Sequence, residues 1–209
     1  MYTHWWVYIA GMPRNPEPTR EKILTAANRL FYGEGIGRVS VDAVAEKAGV
    51  TKRTLYYHFR SKDDLIAAYL ESRDQPNLNQ FAKWFAAGGD TLPEKVAAMF
   101  EGLGKAARSP RWKGCGFLRT VAELANKPGH PAVKVGAAHK KKFEAWLTDA
   151  LADTAEPAEL ARQIVLLMEG AFSTMLIHRE SDYIRVAGET AAALVRAREQ
   201  KGRRRSTAP

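Results

Sequence analysis

Apolar residues recur at three- and four-residue spacing through most of the chain, which predicts helices. No segment alternates with period two, and no Asn-Gly or Asp-Gly pair marks a hairpin. After Asn15-Pro16 and Pro18, a helix is predicted from about Thr19, with Ile23, Ala27, Leu30 and Phe31 on one face and Gly33, Gly35 and Gly37 ending it. Ser40 stands as an N-cap before Val41, Val44 and Ala45. Ala48-Gly49-Val50 makes a tight break, and Thr51 caps a second short helix reaching about Tyr57. Ser61 caps a fourth helix, with Asp63 and Asp64 in the first turn, where the helix dipole favours them. Leu65, Ile66, Tyr69 and Leu70 carry that helix to about Ala86, with Pro76 expected to kink or interrupt it and Gly88-Gly89 to end it.

Five more helices follow. The fifth opens at Pro93, shows Val96, Met99, Phe100 and Leu103, and closes at Ser109-Pro110. A loop from Arg111 to Gly116 leads to a short helix with Phe117, Leu118, Val121 and Leu124, stopped by Pro128-Gly129. The seventh spans about 131–152, with Phe143, Trp146, Leu147 and Leu151 inward. The eighth runs from Pro157 to His178, and Asp182 caps a ninth carrying Ile184, Ala187, Ala191 and Leu194. The fold class is therefore all-α, about nine helices. Its expected division is an unstructured extension at 1–17, a small domain at 18–75, a larger helical domain at 76–200, and a basic disordered tail at 201–209, KGRRRSTAP.

Composition narrows the function classes. The 209 residues include 32 Lys and Arg against 23 Asp and Glu, a formal net charge of +9 that suits a polyanionic partner. One cysteine, Cys115, excludes an intrachain disulfide and a cysteine-based zinc site, and suits a reducing cytoplasm. The histidines (4, 58, 130, 139 and 178) form no i,i+4 pair and no HExxH, so neither a metal nor a cofactor is expected. Residues 1–11, MYTHWWVYIAG, read either as an upstream extension ahead of a start at Met12 or as an aromatic arm for a membrane or partner. They are too short to span a bilayer, as is the apolar run from Ile164 to Ile177, which Glu169 interrupts. A buried helix explains that run better, and no membrane partner is expected.

The informative stretch is residues 40–65, SVDAVAEKAGVTKRTLYYHFRSKDDL. A short helix, a Gly-containing turn and a second short helix form the helix-turn-helix plan, at about 40–59. Val44, Ala45, Ala48, Val50 and Leu55 can hold the two helices together, and the alanines permit close approach. From Thr51 to Lys62 the basic residues Lys52, Arg53, Arg60 and Lys62 meet no acidic one, among the hydrogen-bonding Thr51, Thr54, Tyr56, Tyr57 and His58. Such residues suit phosphate oxygens and base edges of double-stranded DNA.

Val50-Thr51-Lys52-Arg53-Thr54-Leu55-Tyr56-Tyr57-His58-Phe59, followed by Ser61-Lys62-Asp63-Asp64-Leu65, strongly resembles the TetR family of bacterial transcriptional regulators. Ala26-Ala27 to Phe31 and the Gly35–Ser40 turn match it too, so the close resemblance covers about residues 19–75. It implies that Thr51, Lys52 and Arg53 open the recognition helix and face the groove. Arg53, where the family often has glycine, either reads a guanine or meets a phosphate. Of Tyr56, Tyr57 and His58, one or two touch phosphates and the others pack. Phe59 and Leu55 are structural, Lys62 reaches a phosphate, and Ser40 and Val41 present a helix N-terminus to another.

The same resemblance implies a cytoplasmic homodimer on a palindromic operator, paired through about 157–178 and 182–200, and released by an unknown small molecule bound in the larger domain. Candidate pocket residues are Phe100, Leu103, Trp112, Phe117, Val121, Phe143, Met168, Phe172 and Met175, each of which could equally be core. His139, Glu123 and Arg119 are candidate polar anchors, and Cys115, near Arg111, Lys113 and Arg119, is either a sensor thiol or an ordinary small residue. The competing functions are an architectural DNA-binding protein that senses nothing, which a domain without a cavity would favour, and an all-helical enzyme. No nucleophile elbow, phosphate loop or dinucleotide fingerprint supports the enzyme.

Overall fold

A computed structural model describes residues 17–206. The expectations for residues 1–16 lie outside the described residues. The described residues form nine helices: α1 (Glu17–Glu34), α2 (Val41–Ala48), α3 (Lys52–His58), α4 (Lys62–Ala86), α5 (Leu92–Ala107), α6 (Gly116–Glu123), α7 (Pro131–Ala150), α8 (Pro157–His178) and α9 (Asp182–Ser206). The three caps read from the sequence each accept an amide three residues on: Ser40 from Ala43, Thr51 from Thr54 and Ser61 from Asp64.

Two apolar cores form. In the first, Ile23, Ala27 and Phe31 of α1 pack with Val44 of α2, Leu55 of α3 and Leu65, Ile66 and Tyr69 of α4. Phe117 of α6, Leu124 just after it and Ala132 of α7 complete that core, so it is not confined to residues 18–75. In the second, α5 lies against α9, α8 against α9 and α7, and α4 against α5 and α7. Val96, Met99, Leu147, Leu160, Ile164, Met168 and Ala191 fill it.

α4 belongs to both cores, through Leu65–Leu70 at one end and Phe81 at the other. This explains why Pro76 does not interrupt it. A mid-helix proline costs about 3 kcal/mol, and burial at both ends offsets that. The basic composition of 201–209 predicts a disordered tail, yet α9 continues to Ser206. Arg198 pairs with Glu156 and Glu159 at the start of α8, Lys201 pairs with Glu156, and Arg198 O accepts from Ala155 N at 3.4 Å. These contacts hold α9 as far as Lys201, and residues 207–209 lie outside the described residues. α8, at 22 residues, is long and apolar enough to cross a membrane, which the shorter run Ile164–Ile177 conceals. Its Leu160, Ile164, Met168 and Phe172 face the second core, which accounts for one side of its apolarity, while Leu166 and Ile177 stand exposed.

Gly49 ends α2 in the left-handed region at φ 66°, while Val50 N donates to Ala45 O and Gly49 N to Glu46 O. A Cβ added there would meet nothing within 4 Å, so the cost of a side chain is backbone strain alone. Gly49→Ala is therefore expected to destabilise the protein by about 1 kcal/mol in chemical denaturation, with the fold unchanged by circular dichroism.

Candidate nucleic-acid interface and its link to the helical core

α3 is held by one side only. Leu55 is fully buried and Phe59 nearly so, with the Arg20 guanidinium 5.2 Å above the Phe59 ring. Thr51, Lys52, Arg53, Tyr56 and Tyr57 stand exposed, Tyr57 at 81%. Thr54, His58 and Lys62 are half-buried. Thr51 and Thr54 share a hydroxyl hydrogen bond of 2.8 Å, which orients both at the helix start. Lys52 Nζ lies 3.0 Å from Asp42 of α2, and this pair holds its ammonium charged above the usual lysine range. Exposed pairs of this kind are weak, so a phosphate can displace Asp42. Tyr57 meets His58 edge to face. Ser40 is exposed at the N-terminus of α2, whereas Val41 turns into the core, leaving only its backbone available. Arg60, its side chain 95% exposed, flanks this face near Lys62. Together these residues make an exposed, cationic, hydrogen-bonding face on a short helix, the kind of element a DNA major groove admits.

The elements carrying this face are tied to α6, which packs against α7. Glu123, the last residue of α6, accepts from Ile36 N at 3.3 Å and Gly37 N at 2.9 Å in the turn between α1 and α2. Gly35, at φ +93°, lets the carboxylate approach, since a Cβ there would sit 3.0 Å from Glu123 Oε1. Arg119 Nη1 donates to Tyr32 O at 2.8 Å. The Tyr32 hydroxyl accepts from Lys113 N at 2.9 Å and donates to Gly114 O at 3.2 Å. Arg73 of α4 lies 4.8 Å over the Tyr32 ring. Glu123 and Arg119, candidates for anchoring a ligand, are thus spent on the end of α1 and the turn into α2. Tyr32 and Arg73 were not legible, because their partners lie far along the chain.

His130 caps α7, with Nδ1 accepting from Ala132 N at 3.1 Å, while its buried Nε2 stands 3.2 Å from Asp63 at the start of α4 without hydrogen-bond geometry.

The candidate pocket residues separate into groups. Phe117 and Val121 line a groove of about 290 Å³ between α6, α7 and α8, with Leu118, Val133, Gly136, Ala137 and Val165. Phe143, Met168 and Phe172 surround a void of about 10 Å³, with Phe81, Asn77, Cys115 and His139. That void holds at most one water. Lys140 and Glu169 line both spaces. Phe100 lies apart, in a charged cleft of about 490 Å³ between α5 and α9. Leu103, Trp112 and Met175 are buried in the second core, with Trp112 stacked parallel to Phe172.

Cys115 caps α6, its Sγ accepting from Leu118 N. Its cationic neighbour is Lys140 Nζ at 3.3 Å, from α7. His139 is buried and stacked on Phe117 at 3.6 Å, with Nδ1 2.7 Å from Asp74 of α4, which also binds Lys142. Among the described residues no group of three His, Cys, Asp or Glu could hold a metal.

The family model for bacterial regulatory proteins of the tetR family matches residues 23–69. The regulator SrpR of Pseudomonas putida is 40% identical over 60 residues, a match covering 29% of this chain and 28% of SrpR's own length. The regulator YjdC of Escherichia coli is 27% identical over 181 residues, 85% of this chain and 93% of YjdC. The crystal structure of a TetR-family transcriptional regulator from Streptomyces coelicolor superposes with a TM-score of 0.76 at 30% identity, covering 88% of this chain and 97% of that one. The chain belongs to the TetR family of transcriptional regulators. As a TetR-family protein it is a DNA-binding regulator and not an enzyme.

In this TetR-family chain the link between α4 and α7 is sensitive to pH. Burial pulls His139 below its ordinary value of 6.5, more than Asp74 raises it. For Asp74, burial acts upward but Lys142 and His139 outweigh it, leaving it below 3.8. The unfolded chain therefore protonates at His139 first. The stability from neutral His139 is present above about pH 6.5 and lost as pH falls below it; that from Asp74 is lost below about pH 3.8. Denaturation between pH 7 and 5 should show falling stability, and His139→Gln should flatten that slope.

Proposed function

We propose that the protein is a ligand-released repressor that binds a palindromic operator as a homodimer. The observation that carries this reading is the double duty of α6. Phe117, Leu118 and Val121 wall the groove, while Arg119 and Glu123 of the same helix hold Tyr32 and the turn leading into α2. A ligand seated in the groove displaces α6, and that displacement reaches the recognition helix through two backbone amides and a carbonyl. The ligand favours an arrangement in which the two recognition helices no longer match the half-sites, so operator affinity falls by population shift. The groove of about 290 Å³ favours a sensor over a purely architectural protein.

Dimerisation is supported by an unpartnered face on α8 and α9. Leu166 is 67% exposed, Ile177 71% and Val186 50%, with Tyr183 beside them. Gly170 lies between Leu166 and Ile177, and nothing stands within 4 Å of a Cβ placed there. A second copy of the chain covers this face, burying the apolar side chains and using Gly170 for close helix approach. In DNA contact, Thr51, Lys52 and Arg53 enter the major groove. Tyr56, Tyr57, His58, Lys62 and the N-terminus of α2 at Ser40 and Val41 meet the backbone, and Thr54 orients Thr51.

Fluorescence anisotropy with DNA upstream of the protein's own or a neighbouring gene tests the DNA reading. Replacing Lys52, Arg53 and Tyr56 together by alanine should lower sequence-specific affinity by at least ~100-fold, about three lost contacts at 1–3 kcal/mol each. Undiminished specific binding would sink the assignment. Arg53→Ala alone should relax discrimination at one base pair if Arg53 reads a guanine, and only flatten the salt dependence if it meets a phosphate.

Sedimentation equilibrium tests the interface. Leu166→Glu with Ile177→Glu should convert a dimer into a folded monomer with weakened operator binding. A dimer that persists would place the interface elsewhere.

A further inference from the structure

We propose that the groove between α6, α7 and α8 takes a small organic anion, an apolar body bearing one carboxylate that replaces Glu169 at the Lys140 ammonium. This rests on the ligand-released reading above and names the chemistry of its effector.

The groove is almost wholly carbon, walled by Phe117, Leu118, Val121, Val133 and Val165. Gly136 sets its depth: a Cβ there would lie 2.7 Å from Val121, so glycine lets α6 settle close to α7. The volume of about 290 Å³ is at the lower edge of small-molecule sites, which run roughly 300–1,000 Å³. One ion pair, Lys140 with Glu169, joins α7 to α8 and lines both this groove and the small void beside it.

The two partners are not equally replaceable. Lys140 has further contacts that hold it in place without Glu169: Cys115 Sγ at 3.3 Å and the Phe172 ring at 5.7 Å. Burial pulls its pKa down, but Cys115 and Glu169 outweigh that and leave it raised, so it stays charged. The Glu169 and Lys140 side chains are similarly exposed, at 26% and 27%, so the difference lies in those further contacts of Lys140, and Glu169 once displaced can turn to water. A carboxylate arriving through the groove therefore meets a positioned cation and displaces a group that solvent can accept. A cationic ligand would do the reverse, taking Glu169 and leaving the Lys140 ammonium beside a thiol and a ring. A neutral ligand would leave the pair intact and gain apolar burial only. The groove also lies apart from the dimer face. Val165 and Glu169 each precede by one residue the positions that face outward, Leu166 and Gly170, about 100° round the helix.

Isothermal titration of the full chain with naphthoate, naphthylmethanol and naphthylmethylammonium, matched in body and differing in charge, tests this. Naphthoate should bind at least ~10-fold more tightly than the alcohol, one charge-assisted contact, with the ammonium weakest. Lys140→Met should erase the preference and leave the alcohol unchanged, while Lys140→Arg should retain it. Glu169→Gln should tighten naphthoate several-fold by removing the competitor, a gain that a damaged fold would not give. Ala137→Trp, which fills the groove, should abolish binding of all three.

The proposal is overturned if the alcohol or ammonium binds as well as naphthoate, if none binds, if Glu169→Gln weakens naphthoate, or if Ala137→Trp leaves it unaffected. Operator release is measured separately. Selective naphthoate binding that leaves operator affinity unchanged would overturn the ligand-released reading while the anion site stands.

Discussion

Glu123 ends α6 with a negative charge where the helix dipole is itself negative, a placement that is unfavourable unless the carboxylate finds donors elsewhere. It finds them in the Ile36 and Gly37 amides of the turn between α1 and α2. That turn leads through Val39 into Ser40 and α2, so the carboxylate fixes the entry to the helix-turn-helix. Arg119, one turn earlier, fixes the end of α1 through the Tyr32 carbonyl. Two charged side chains on one short helix thus grip both sides of a glycine turn. The position of α2 and α3 relative to the rest of the chain depends on that grip, supported by α4.

α6 divides its surface between two neighbours. Its apolar side meets the groove and the first core, and its polar side meets the turn. α7 and α8 share a similar division. They pack the second core, contribute Lys140 and Glu169 to the groove, and in α8 also present Leu166 and Ile177 outward. Each helix carries more than one surface, so a shift at one surface cannot remain local in an interior packed this densely.

The caps and the cores were legible in the sequence because they obey local rules. Ser40, Thr51 and Ser61 act on amides three residues away, and the apolar faces repeat at helical spacing. The inward and outward sides of α3 were legible for the same reason: Leu55 and Phe59 point inward and leave Lys52, Arg53, Tyr56 and Tyr57 outside. The long-range polar contacts were not. Nothing in the sequence distinguishes Lys140 from Lys141 and Lys142, yet the three pair with different carboxylates, Glu169, Glu144 and Asp74. Glu169 reads in the sequence only as the charge that interrupts an apolar run, and nothing there names Lys140 as its partner. Phe117 reads as a pocket residue and lies in the first core as well as the groove, because periodicity gives a face but not the element that face meets.

Hydrogen exchange at the Ile36 and Gly37 amides, in the intact protein and in Glu123→Ala, tests the grip of α6 most directly. The account predicts protected amides in the intact protein, at least ~10-fold faster exchange in the variant, as expected from losing about 1.5–3 kcal/mol of charge-assisted bonding, and unchanged protection in the middle of α2. Equal exchange rates in the two proteins would contradict it, because the turn would then be held by something other than α6.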